Sequence, residues 1–403
     1  MPASRLGPDF TRLWAAFAVS GVGDGLTLAA GPLLLATLTD DPALVAGAVF
    51  AQRLPWLLFS LVSGVVVDRL DRRRLVAAVD TARAVVVGAL ALAVWTGHAG
   101  VGVVYACLFL LGTGNTLVDN AVQAMVPAVV ASDDLPTANS RITAVGLIGG
   151  KMAGPPLGSL LFVTAAALPF GIDAASFAIG ALLVLAVRNH PTPAPAPRKP
   201  LRNEIGEGLR WLWGHHALRM LALCLALLNF AWTGGSAVMV LYARERLGLD
   251  EVGFGLMLST VAAGGIVGAF VAAPLVRRFG AAVLLRVGLV VESLTHLGLA
   301  LATTPWVALS VLAAFGVHAV VWNVITQTVR QRAVPEALRG RVMSVLFLLS
   351  IGGATVGSLL GGVLARGFGI TAPYWFGAVL VAGVAATAWR SFSRVDAENP
   401  AAA

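Results

Sequence analysis

Asp24 and Arg53 are opposite charges set in long apolar stretches, FAVSGVGDGLTLAAG (17–31) and VFAQRLPWLL (49–58). An ionised side chain at the centre of a membrane helix costs about 2.5–3.5 kcal/mol on insertion scales, so each needs a partner or a water-filled cavity. If both stretches are helices rising about 1.5 Å per residue, the two side chains sit at similar depth near their midpoints and could pair. A carboxylate that moves between desolvated surroundings and a guanidinium can take up and release a proton. The same two residues could equally form a permanent ion pair that fixes two helices, and the sequence leaves both readings open.

Further polar groups punctuate the apolar runs. Lys151 lies near the middle of one, where it could attract an anionic group or neutralise Asp119. Asp119 and Asn120 stand toward one end of another run, which suits a gate or a structural role as well as contact with a bound molecule. In the second half Asn229, Trp232, His318, Asn323 and Gln327 are candidate polar and aromatic lining. Glu292 and His296 are four apart and share a helix face, enough for an internal pair, and Asp173 reads as a structural pin. Cys107 and Cys224 fall in different apolar runs, so neither a disulfide nor a metal site is indicated. There is no phosphate-binding glycine loop, so ATP-driven chemistry is unsupported and no cofactor is expected.

The elements that must position these groups follow from composition. Of 403 residues 58% are hydrophobic and 12% charged, against about 45–50% and about 25% in soluble domains. The apolar residues fall in runs of membrane-spanning length, near 12–35, 44–66, 75–95, 101–127, 140–163, 167–187, 217–240, 252–276, 281–302, 306–330, 342–364 and 372–390. This predicts an all-α, polytopic membrane protein of twelve spans. The expected organisation is a six-span bundle over 1–190, a linker over 191–216 and a second six-span bundle over 217–403. Within the linker, PTPAPAPRKP (191–200) favours an extended polyproline spacer. The stretch after it sets Leu201, Ile205, Leu209 and Leu212 on one helical stripe, predicting an amphipathic helix on the membrane surface.

The net charge of +8 is spread over span ends rather than gathered in one patch, which argues against nucleic acid. With both termini cytoplasmic, Arg244, Arg246 and Arg366 are the only basic residues in outer loops. Arg53, Arg83 and Lys151 are the only ones within spans, and the rest of the 28 fall on the cytoplasmic side. The halves also repeat at an offset of about 200 residues. Val126-Pro127 matches Val334-Pro335, Arg141 matches Arg341, and Gly158-Ser-Leu-Leu161 matches Gly357-Ser-Leu-Leu360. Two parallel six-span repeats with a midplane site between them is an architecture of alternating-access transporters.

Between spans 2 and 3 runs Gly64-Val-Val-Val-Asp68-Arg69-Leu-Asp71-Arg72-Arg73-Arg74. Gly64 would let another helix approach closely, and Asp68 could accept hydrogen bonds across the cytoplasmic face. This stretch resembles the signature loop of the major facilitator superfamily, with Asp71 where that family usually has a second glycine. In span 5, Gly150-xxx-Gly154-Pro155-xx-Gly158 resembles the superfamily's antiporter motif, small residues making a groove for helix contact and paired prolines bending the helix. Arg12-Leu-Trp14, Ser20-Gly-Val-Gly-Asp24, Arg53-Leu-Pro55, Asp173-Ala-Ala-Ser-Phe177, Glu204-Ile-Gly-Glu207-Gly208-Leu-Arg210 and Pro335 to Arg341 extend the resemblance to the enterobactin-exporter and macrolide-efflux branch, over nearly the whole chain.

That resemblance implies a proton-driven exporter of amphipathic small molecules, monomeric and without enzymatic activity, in the cytoplasmic membrane. Asp24 and Arg53 would carry proton coupling. Gly64, Asp68, Arg69, Arg72 and Arg73 would form the cytoplasmic gate motif. Many proton antiporters of the superfamily carry an embedded arginine in span 4, and this sequence has none there. Uptake or flipping of a lipid-like or nutrient solute by the same fold, or a membrane sensor that does not transport, are the competing expectations.

Overall fold

The computed structural model describes residues 6–188 and 201–392, and among these every regular element is helical. Spans 1 to 4 are Pro8–Leu38, Pro42–Arg69, Arg72–Trp95 and Val101–Val129, and span 6 is Leu168–Leu185. Spans 7 to 12 are His216–Ser236, Glu251–Phe279, Ala281–Leu301, Pro305–Ala333, Glu336–Phe368 and Ala372–Phe392. Among the described residues eleven helices are long and apolar enough to cross a membrane. The twelfth crossing is span 5, which is interrupted: helix Leu135–Val145, a π-helical stretch Gly146–Ala153, then helix Gly154–Thr164. Many helices outrun the expected apolar cores. At about 1.5 Å per residue the 31-residue span 1 is about 46 Å long, more than the roughly 30 Å hydrocarbon thickness, so its polar ends lie outside it.

Chain breaks follow local chemistry. Proline occupies the first turn of spans 1 and 10, where its missing N–H costs no hydrogen bond. Gly280 and Gly369 close spans 8 and 11 with φ of 76° and 94°, a backbone region that favours glycine. Asp71 caps span 3 by accepting a hydrogen bond from the Arg74 amide at 2.9 Å. This gives a local reason for an acid at that point in the loop.

The chain forms two compact units. The first comprises residues 1–40, 51–197 and 250–259, the second residues 41–50, 198–249 and 260–403. In the first, Phe10, Leu13, Val76, Ala121, Met125 and Val184 pack a common core. In the second, Leu212, Leu221, Leu285, Trp322, Val342 and Phe392 do so. Helix contact in both rests on glycine rows. A Cβ on Gly154 of span 5 would meet Gly25 of span 1, and one on Gly158 would lie 2.7 Å from Leu26 Cα. The matching row in the second unit, Gly353, Gly357 and Gly361 of span 11, lies against Ala226, Phe230 and Gly234 of span 7. The internal repeat therefore preserves one packing device in each unit: backbone touching backbone where no side chain intervenes.

The stripe expected to lie on the membrane surface has a different environment. Helix Leu201–Gly214 packs on span 11, with Glu207 paired to Arg341 at 2.8 Å and Gly208 against the Arg341 backbone. Leu212 is fully buried and Ile205 packs against the same core, while Leu209 and Trp213 are exposed. The stripe is divided because the bundle end offers an apolar seat that burial alone favours. The proline-rich spacer expected at 191–200 lies outside the described residues.

Candidate functional site

In the first unit the embedded charges converge on Arg83, not on Arg53. Arg83 of span 3 donates from Nη2 to Asp24 Oδ1 at 2.9 Å and from Nη1 to Asp80 Oδ1 at 3.1 Å. Its guanidinium carbon lies 3.8 Å from the centre of the Phe177 ring of span 6, a cation–π contact. Space for the arginine comes from Gly114 of span 4, where a Cβ would lie 2.9 Å from Arg83 Cδ. Asp173, one turn before Phe177, accepts a hydrogen bond from Thr27 Oγ1 at 2.6 Å and lies 3.3 Å from Ser176 Oγ. Thr27 is in turn three residues beyond Asp24. Spans 1 and 3 thus bring two carboxylates to one guanidinium, while Asp173 of span 6 is held by Thr27 and Ser176.

Exposure separates the members. The side chains of Arg83 and Asp80 are 6% and 4% exposed, whereas that of Asp24 is 48% exposed. One acid is therefore locked against the arginine inside the bundle and another reaches it from an accessible surface. Chemically this is an exchangeable ion pair: protonating Asp24 removes its charge while Asp80 keeps Arg83 compensated.

The expected Asp24–Arg53 pair is absent. Arg53 is half-buried and makes no hydrogen bond or ion pair among the described residues. Similar depth placed the two residues together on paper, but depth does not fix azimuth, and the span 3 face carrying Asp80 and Arg83 is the one turned to Asp24. The i, i+3 spacing of Asp80 and Arg83 was the signal that could have found this site.

The span 5 glycines support span 1 directly beside Asp24. A Cβ on Gly25 would lie 2.6 Å from the Gly150 carbonyl oxygen and 2.9 Å from Gly154 Cα, and one on Gly150 would lie 3.2 Å from the Gly21 carbonyl oxygen. The prolines do not bend a continuous α-helix. Pro155 and Pro156 open helix Gly154–Thr164, and the irregularity is the π-helical stretch before them, which contains Gly150 and Lys151. Such stretches occur often at functional sites because they break the regular backbone ladder. Lys151 is exposed and makes no ion pair with Asp119, which is half-buried in span 4.

Other candidates divide between structural and accessible positions. Asn120 donates to Ser63 Oγ at 2.7 Å and to the Thr116 carbonyl at 2.9 Å, tying span 4 to span 2. Asn229 donates to the Leu225 carbonyl of its own helix at 2.8 Å. Asn323 and Gln327 are exposed on one face of span 10. Trp232 stacks on Phe315 with centroids 3.7 Å apart and planes at 17°. His318, expected as lining, is directed into the unit, where its Nε2 lies 3.1 Å from Glu292 Oε2. A buried acid offered it a stronger partner than the surface did.

At the signature loop, Arg72 donates to the Ala124 carbonyl at 3.2 Å and Arg73 to the Val187 carbonyl at 3.0 Å. The two arginines fasten the start of span 3 to the ends of spans 4 and 6, while Arg69 is exposed. Gly64 does not serve a close approach here, since a Cβ on it would meet nothing within 4 Å. The Asp68 side chain lies outside the described set.

Comparison with solved structures shows the fold. The nucleoside transporter NupG matches with a TM-score of 0.75 at 14% identity, over 96% of this chain and 99% of that one. A bacterial homologue of the iron transporter ferroportin in its inward-facing state matches with a TM-score of 0.74 at 19% identity, over 96% and 98%. With twelve spans in two glycine-packed repeats, the fold is that of a multi-pass transporter of the major facilitator type. The family model described as "Transmembrane secretion effector" matches residues 6–403, and the chain belongs to that family. Its relatives include the multidrug efflux pump Tap of Mycolicibacterium fortuitum, 29% identical over 397 residues and covering 93% of each chain. The enterobactin exporter EntS of Shigella boydii is 27% identical over 379 residues, covering 88% of this chain and 85% of that one.

Proposed function

We propose that this protein is a proton-coupled exporter of amphipathic small molecules, working by alternating access. The observation that carries the reading is the ion pair between an accessible acid, Asp24, and a buried arginine, Arg83, that a second acid already compensates. A proton arriving at Asp24 neutralises it and frees one arm of the guanidinium. Asp80 keeps that guanidinium inside the bundle, so the change is confined to span 1, where the span 5 glycines grip the next turn. Loss of the proton restores the pair. Arg83 thus supplies from span 3 the embedded cation that span 4 lacks. Uncompensated charge is costly away from water, so the bundle's packing and the proton occupancy of Asp24 must favour one another, which is the linkage a coupled transporter needs.

The aromatic face of Trp232 on Phe315, with Asn323 and Gln327 accessible on span 10, suits a molecule with an apolar body and a few polar groups. Export is supported by what the relatives Tap and EntS are named for. The distribution of basic residues supports both termini on the cytoplasmic side of the cytoplasmic membrane, and a monomer is the working unit.

The test is a susceptibility and dye-efflux screen in a host depleted of its own transporters. Expression of this chain is expected to lower accumulation of at least one amphipathic compound, and a protonophore to abolish the effect. Protonophore-insensitive efflux would remove the proton from the account, and retention unchanged across the panel would remove export.

A further inference from the structure

The second unit contains an acid–imidazole cluster that the coupling scheme above does not use. Glu292 of span 9 is 4% exposed and His296, one turn on, is 1% exposed. His318 of span 10 reaches Glu292 Oε2 from Nε2 at 3.1 Å, its side chain 8% exposed. His296 Nδ1 lies 2.9 Å from the Glu292 main-chain carbonyl and 3.9 Å from Glu292 Oε1. A carbonyl oxygen can only accept, so Nδ1 carries the hydrogen, and His296 Nε2 is left buried without a partner. Tight packing holds the group together. A Cβ on Gly377 of span 12 would meet the His296 ring, and one on Gly288 would lie 3.0 Å from His318 Cε1.

Among the described residues only these two imidazoles pair with Glu292. The other ionisable groups on the surrounding helices are engaged elsewhere or stand at helix ends. Arg286 of span 9 lies 5.8 Å from the Trp389 ring, and Arg330 of span 10 donates to the Thr326 carbonyl at 2.9 Å. Tyr242 donates to the Leu299 carbonyl at 2.7 Å, and Tyr374 of span 12 to the Gly235 carbonyl at 3.1 Å. Span 12 ends near Arg390, span 7 carries Arg219 near its start and Cys224 within it, and span 8 bears Glu251, Arg277 and Arg278 near its ends. Glu336, Arg339 and Arg341 stand near the start of span 11 and Arg366 near its far end.

Among the described residues no permanent cation therefore compensates Glu292. A buried carboxylate without a counter-charge is strongly unfavourable, and a histidine provides one only when it holds a proton. We propose that Glu292 and His318, with His296 packed beside them, form a second proton-binding site in the second unit, independent of Asp24. The step is proton uptake alone: one proton from water is shared between His318 Nε2 and Glu292 Oε2, and its release leaves the carboxylate bare. His318 also contacts the aromatic groups beside it, at 6.3 Å from Phe315 and 6.0 Å from Trp322 between centroids. Phe315 is the ring that stacks on Trp232. The site thus lies behind the aromatic face that the proposed function assigns to the transported molecule, and only its relevance to transport rests on that reading.

Trp322 provides a reporter, because a protonated imidazole quenches a nearby indole. The full chain in lipid nanodiscs is titrated between about pH 5 and about pH 8, following tryptophan emission. Subtracting Trp322→Phe isolates this one indole from the ten tryptophans of the chain. The expected result is a one-proton step in the wild type that is absent from His318→Gln and retained in Asp24→Asn. No step in the wild-type difference, or the same step in His318→Gln, overturns the proposal. If His318→Gln does not elute as a folded species, Glu292→Gln replaces it, and the wild-type difference alone still decides whether a step exists. A chain that shows the step but exports nothing would refute the transport reading and leave the proton site standing.

Discussion

Arg83 decides the chemistry of the first unit, because two carboxylates depend on it to unequal extents. Asp80 is almost completely buried and, among the described residues, has no other ionic partner, so removing the arginine strands a charge. Breaking a buried pair from one side costs about 3–5 kcal/mol, whereas replacing both partners by neutral groups of similar shape is often close to neutral. Arg83→Met is therefore expected to lower the thermal midpoint of the purified protein sharply. Adding Asp80→Asn to it is expected to restore most of that loss without restoring transport. Equal instability of the single and double variants would mean that the arginine acts through packing on Phe177 instead. Embedded charge was legible in the sequence and the partner was not: Asp24, Arg53 and Arg83 all stand out from their runs, but the choice between the two arginines depends on helix rotation. His318 illustrates the same limit, since its partner Glu292 is on another helix, and periodicity relates only residues on one.

Span 5 holds span 1 in position, and it does so by being irregular. The glycine spacing was readable as a close helix contact, and the repeat at Gly357 identified the equivalent device on span 11. The partner turn at Gly25 was not readable, because a contact surface names only one of its two sides. Nor was the π-helical stretch, since Gly-Pro runs are compatible with a kink, a break or a new helix start. Gly25→Ala is expected to push spans 1 and 5 apart at the level of Asp24. Overpacking of this kind costs about 1–3 kcal/mol, so membrane insertion should be retained while transport falls to background. Gly21→Ala, where a Cβ would meet nothing within 4 Å, is the matched control and should transport normally. If both variants transport equally well, the glycine contact has no part in the coupling. The linker helix carries a related lesson. Its leucines and isoleucine share one helical stripe in sequence, but Leu212 is buried and Leu209 exposed because the bundle end covers only part of that face.

At the scale of the whole molecule, composition and run length were enough for a polytopic helical membrane protein. Even so, among the described residues only eleven helices are continuous, long and apolar enough to span, because span 5 is broken by its π-helical stretch. The twelfth emerges from the glycine–proline motif and from the alternation of basic residues, which a missed crossing would have inverted. In the proposed mechanism, proton entry through Asp24 drives outward movement of an amphipathic molecule. Reconstitution in proteoliposomes with an imposed pH gradient tests it most directly, by following a fluorescent amphipathic dye exported in the cellular screen. Wild-type protein is predicted to accumulate the dye in vesicles acidic inside and to stop when the gradient is collapsed. Asp24→Asn, folded and able to bind the dye, is predicted to show no gradient-driven accumulation. Equal accumulation by Asp24→Asn and wild type would contradict the account.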